Sequence, residues 1–148
     1  MRGLATEVVD MSLGSLVVHA ALGMWLGSIV FFSFVAAPAL FDELGEERAG
    51  DAVNVVFPRY YSFGIWMGTI VLVVWALGPT VADVAEPALV ADVGVVAAFL
   101  ANLYARYQLI PKMEAAGSDA FARYHKQSVG LNLVALAGLA AAFAVLHL

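Results

Sequence analysis

Cysteine is absent from the 148 residues. Its absence removes disulfides, thiolate metal sites and cysteine nucleophiles together. Charge is also scarce. Only 13% of residues are Asp, Glu, Lys or Arg, against about a quarter in an ordinary soluble domain. Lysine occurs only at Lys112 and Lys126. Seven basic residues face twelve acidic ones, for a net charge of −5. Such a chain cannot build the phosphate-tracking surface that nucleic-acid binding requires. Missing too are a P-loop, a Rossmann glycine pattern, an HExxH helix, paired intramembrane carboxylates and a usable nucleophile–base pair. No catalytic residue is assigned, and enzymatic activity has no motif to rest on.

What is present is apolar. Hydrophobic residues make up 63% of the chain and the mean hydropathy is +0.89. These values exclude a water-soluble globule and a disordered chain. Charge-free runs of 31, 23 and 22 residues cover Met11–Phe41, Tyr60–Ala82 and Gln127–Leu148. A membrane crossing needs roughly 20 apolar residues. A further apolar stretch from Leu89 to Ile110 has Asp92 near one end and Arg106 near the other, where both can snorkel toward the interface. The expectation is one all-α integral membrane domain over residues 1–148, a four-helix transmembrane bundle with spans near 12–38, 60–79, 89–110 and 127–147. Pro38, Pro79, Pro87 and Pro111 are expected at or near helix ends. Arg2 is followed by Glu7 and Asp10, so the first run lacks a basic leader. It is also too long for a signal-peptide core and reads as a retained helix.

Six basic residues, Arg48, Arg59, Arg106, Lys112, Arg123 and Lys126, fall on one side of these spans. Arg2 stands on the other with Glu7, Asp10, Asp83, Glu86 and Asp92. The positive-inside rule then puts the basic loops in the cytoplasm and both termini outside the plasma membrane. Between spans one and two, residues 42–57 mix charges with Leu44, Ala52, Val53 and Val56, as a short amphipathic loop helix would. Ser118 is placed to cap a last helix that starts before the membrane.

Two segments resemble each other. Gly23–Val30 and Gly64–Val71 are identical at five of eight aligned positions, and each contains GxxxG. Gly23, Gly27, Gly64 and Gly68 are therefore expected to let helices approach closely. Ser12, Ser15, His19, Gly23, Gly27, Val30 and Phe34 step along the first span as its inner face. His19 is a candidate ligand for haem iron or a metal ion, with His147 as a conceivable second histidine, or else a histidine satisfied by hydrogen bonds. Trp75 is expected at the outer interface, and Trp25 and Trp66 packed between helices. His125, Ser128 and Asn132 form a stripe on the last helix. Asn102 and Arg106, with Tyr60 or Tyr61, are expected to join it at the cytoplasmic end. Two readings of this group stay open: a polar clasp that fixes packing, or a site for a small ligand.

The order of several of these residues carries a resemblance. His19, Trp25-Leu26-Gly27, Phe31-Phe32-Ser33-Phe34 leading to Ala37-Pro38 and Phe41, Phe57-Pro58-Arg59-Tyr60, Asn102, Pro111, and His125 with Ser128 and Asn132 resemble the transmembrane protein 205-like family over nearly the whole chain. That likeness implies a four-helix membrane protein, in a family whose molecular function is largely undefined. More distantly, the layout is similar to copper-resistance D-type proteins and HemJ-type protoporphyrinogen oxidases. His19 alone carries this, and it implies haem b or a metal as cofactor. Three functions follow as expectations: a protein that binds or passes a small ligand or metal within the bundle, a b-type haem protein with a redox role, or a structural subunit that recruits a partner helix or a second copy.

Overall fold

The computed structural model describes residues 12–81, 87–116 and 118–146. Among the described residues every regular element is helical. The N-terminal charges Arg2, Glu7 and Asp10, the outer-loop pair Asp83 and Glu86, and His147 lie outside them, as does the residue where a Ser118 cap would join.

Helix α1 (Leu13–Phe31) begins at Ser12, whose hydroxyl accepts the Ser15 amide at 3.2 Å. It passes through a widened π turn (Phe32–Ala36) into α2 (Ala37–Val81). Helix α3 (Leu89–Tyr104) passes through a second π turn (Ala105–Leu109) into α4 (Ile110–Ala115), and α5 runs from Ser118 to Val145. One residue separates each π turn from a proline. Ala37 donates its amide to the Phe32 carbonyl and Ile110 to the Ala105 carbonyl, each five residues back. Pro38 and Pro111 have no N–H to give, and in a regular helix their rings would press on the carbonyl four residues back. Widening the preceding turn moves that carbonyl aside, so the helix continues. This corrects the expectation that Pro38 and Pro111 mark helix ends.

Among the described residues three helices, not four, are long and apolar enough to cross a membrane: Leu13–Gly78, Leu89–Ala115 and Ala122–Val145. The expected first and second spans fall in one 66-residue run. The charged stretch between them does not melt into a loop, because Ala49, Val53 and Phe57 recur every four residues and are buried. One residue breaks the run. Gly45 has φ 75° and ψ 166°, a conformation open in practice only to glycine. The two arms on either side of it pack antiparallel: Trp25 lies against Gly64 and Gly68, and Phe32 against Phe57 and Tyr60. The expected loop helix is therefore the first part of the second arm. That arm covers residues 46–81 and is about 54 Å long by helix rise.

α1 packs on α2, α2 on α3, α3 most extensively on α5, and α5 on α1. Two cores fill the space between. The larger gathers Leu22, Trp25, Ile29, Val71, Val95 and Leu139. The smaller gathers Val53, Phe57, Tyr61, Leu109, Ile110 and Met113. Outside, Leu77, Val93, Leu100 and Leu133 are all more than half exposed. A soluble monomer rarely carries so continuous an apolar exterior, whereas a bilayer accommodates it.

The face that α1 turns inward differs from the expected one. Val18, Ala21, Leu22, Trp25 and Ile29 are buried; Gly27, Val30 and Phe34 are exposed, and Ser15, His19 and Gly23 are half-buried at the flank. Lipid is as apolar as leucine, so polarity does not decide which side faces in. Packing decides it, and the bulky side chains make the better contacts. Trp75 is buried at 8% exposure, not interfacial, and Trp66 is 67% exposed, not packed. The matched tryptophans Trp25 and Trp66 thus occupy opposite environments, one inside and one outside.

Candidate functional site

Helix α5 presents His125, Ser128 and Asn132 along one face, and the second arm of α2 presents Tyr60 and Tyr61 opposite. Tyr61 and Ser128 share a hydrogen bond of 2.6 Å, and Ser128 is 1% exposed. The Tyr60 hydroxyl donates to Asn132 Oδ1 at 3.2 Å. Phe32, carried in by the first π turn, stacks on Tyr60 at 4.9 Å between ring centroids and lies 5.7 Å from Phe57. These rings form a wall, and beside it is a cavity of about 350 Å³. Ile29, Pro38, Phe41 and Leu136 line it with Phe32 and Phe57; Ser33, His125, Ser128 and Asn132 are its polar groups. Phe34, Val129 and Leu133 also line it and are exposed, so its mouth opens sideways onto the apolar exterior. Apolar walls with a few convergent polar groups are the usual makeup of a small-molecule pocket, and the volume lies at the small end of the roughly 300–1,000 Å³ such pockets span.

Asn102 and Arg106 do not line this cavity. Asn102 is buried and donates to the Ala98 carbonyl at 2.8 Å; its other amide atom lies over Gly64. Arg106 donates through Nε to the Ser62 hydroxyl at 3.2 Å and stacks on Tyr107. It lines a separate recess with Pro58, Arg59, Ser62, Phe63 and Trp66. The reason is positional. Both residues lie on the side of α3 that meets α2, whereas His125, Ser128 and Asn132 lie where α5 meets α1 and α2. The expected six-residue cluster does not form as one: His125, Ser128, Asn132 and Tyr60 come together, and Asn102 and Arg106 stand apart.

His19 is elsewhere again. Its Nδ1 lies 2.7 Å from the Ser15 carbonyl and 3.3 Å from the Ser15 hydroxyl, which puts the ring hydrogen on Nδ1. Its proposed companion His147 lies outside the described residues. Among the described residues, no three His, Asp or Glu side chains gather closely enough to share a metal ion.

The glycines divide. A Cβ on Gly68 would lie 2.7 Å from Phe99 and 2.9 Å from Trp25, and one on Gly64 would collide with Asn102 and Trp25. A Cβ on Gly23 or Gly27 meets nothing within 4 Å. The GxxxG of α2 is thus a notch for the Trp25 ring, while that of α1 faces away. A direct backbone-to-backbone approach joins Gly94 of α3 to Gly138 of α5, where each glycine stands against the other's carbonyl. The sequence signal for it was a stripe of small residues: Ala91, Gly94, Ala98, Ala101 and Ala105 on one side, with Ala135, Gly138 and Ala142 on the other. Tyr60 and Tyr61, expected as alternatives, both reach the α5 stripe. Ser62 had no such signal.

Residues 20–122 match the model of a domain of unknown function, DUF4149. An uncharacterized protein of Aquifex aeolicus (strain VF5) is 35% identical over 120 residues, which span 79% of this chain and 84% of that protein. No solved structure matches. The likeness to transmembrane protein 205-like, copper-resistance D-type and HemJ-type proteins rests on the residues quoted for it above. With most of its length matched by the domain and by the Aquifex protein, from within α1 into α5, this chain belongs to the DUF4149 family.

Proposed function

We propose that this protein is a multi-pass membrane protein of the cell membrane that binds a small, largely apolar molecule in the cavity between α1, α2 and α5. The observation that carries the reading is the cavity itself. Its walls are aromatic and aliphatic, its polar groups are Ser33, His125, Ser128 and Asn132, and its mouth opens through Phe34 and Leu133 toward lipid. A molecule dissolved in the bilayer can enter there without crossing water. Its apolar body rests on Phe32 and Phe57, and a polar end reaches the α5 stripe.

The arrangement in the membrane follows from length. A straight 66-residue helix would extend about 99 Å, three times the hydrocarbon thickness. Folded back at Gly45, it supplies two crossings, and with α3 and α5 the chain crosses four times. The basic residues then lie in the cytoplasm and both termini outside.

Cavity occupancy tests the reading. Ala37 lines the cavity and is half-buried. Ala37→Phe should fill the space and exclude the ligand. Organic extracts of the protein purified in mild detergent should contain a small molecule at near-stoichiometric amount for the parent chain and at least tenfold less for Ala37→Phe. Identical extracts from both would refute the proposal.

A further inference from the structure

A second recess, of about 560 Å³, lies on another face of the molecule. Arg59, Ser62, Phe63 and Trp66 of α2 and Arg106 of the second π turn line it. Arg106 is half-buried in a helix apolar enough to cross a membrane. Its Nε donates to Ser62 Oγ at 3.2 Å, and the Ser62 hydroxyl in turn donates to the Pro58 carbonyl at 2.7 Å. Arg59 is exposed and sends one Nη to the Val55 carbonyl at 2.9 Å. Among the described residues neither guanidinium meets a carboxylate. A half-buried cation in an apolar helix without a counter-charge is costly, and such a residue usually marks a site. Around the two cations, Trp66 is 67% exposed and Phe63 is 37% exposed. Large aromatic side chains facing outward beside arginines fit the headgroup level of a bilayer, where indole rings concentrate.

We infer that Arg59, Arg106 and Ser62 form a binding site for a phosphate group, with Trp66 and Phe63 as its apolar rim. Guanidinium forks match the oxygens of a phosphate, which can accept from two arginines at once. Ser62 sets the direction of Arg106, leaving its terminal nitrogens for the anion. The phosphate is that of an anionic lipid headgroup or of a soluble phosphate compound. This inference rests on the membrane reading but not on the α5 cavity, and the two share no lining residue.

The experiment uses the full chain in detergent, with native mass spectrometry for retained lipid and melting temperature for protection. The probes are dioleoyl phosphatidylglycerol, dioleoyl phosphatidylcholine and inorganic phosphate. The parent chain should retain phosphatidylglycerol about tenfold better than phosphatidylcholine, and Arg59→Gln should abolish that preference, as loss of one charge-assisted contact implies. Arg59 is exposed, so this variant does not threaten the fold. Arg106→Lys, which keeps the charge and loses the fork, should weaken retention while leaving the chain folded. Protection by millimolar phosphate without lipid, lost in Arg59→Gln, also supports the site and assigns it to a soluble compound. Equal retention of both lipids by parent and Arg59→Gln, with no protection by phosphate, overturns the inference. Ala37→Phe should leave all of these results unchanged, which separates failure here from failure of the cavity.

Discussion

Trp25 is housed by two absent side chains. Its ring fills the notch that Gly64 and Gly68 leave in the second arm of α2, and it is 1% exposed. Gly68→Leu must displace Trp25 and Phe99 together, and overpacking of this kind typically costs about 1–3 kcal/mol. Gly27→Leu projects into open space and should cost little. Thermal unfolding in one detergent checks the contrast: the Gly68 variant should melt clearly below the parent, and the Gly27 variant beside it. The sequence presents the two GxxxG motifs as equivalents and cannot rank them. Which glycine forms a contact depends on how α1 is rotated, and in lipid the apolar pattern exerts little torque on that rotation. The same lack of torque explains why Trp66 and Trp75 exchange their expected environments.

At the scale of the element, helix type was legible, since long charge-free apolar runs read as helices. The continuity of helix through residues 42–57 was not. The mixed charges there read as a separate amphipathic helix in a loop, while the four-residue recurrence of Ala49, Val53 and Phe57 joins it to the second arm. The π turns were not legible either, although their cause is. Pro38 and Pro111 each follow a turn that has widened to spare the proline ring. Pro38→Ala restores an amide able to bond the Phe34 carbonyl. The turn should then narrow, with Ala37 donating to Ser33 instead of Phe32, and Phe32 should leave its stack on Tyr60. A structure of the variant reads this directly; an unchanged Ala37–Phe32 bond would show that proline is not what holds the turn open. Of the candidate site, the α5 stripe was visible from its three- and four-residue steps. The separation of Asn102 and Arg106 from it was not, because it depends on which neighbour α3 turns each side toward.

For the whole molecule, the break at Gly45 decides topology. If both arms cross, the chain traverses the bilayer four times and its ends share a side; if the long run crosses once, the ends lie on opposite sides. Reporter fusions at the two termini should both read extracytoplasmic; signals from opposite sides would contradict the fold-back, and cytoplasmic signals at both ends would contradict the orientation. The central claim concerns the cavity, and its rival is that His125, Ser128 and Asn132 merely clasp helices together. The two readings separate in one paired measurement on His125→Ala: the bound small molecule per protein, and the melting temperature of the same sample. A clasp residue that leaves partners unpaired costs about 1–3 kcal/mol, so occupancy would fall only in step with stability. The ligand-site account predicts at least a tenfold loss of the bound molecule with a melting temperature close to the parent's. Full occupancy in the variant, or loss that tracks unfolding, would contradict it.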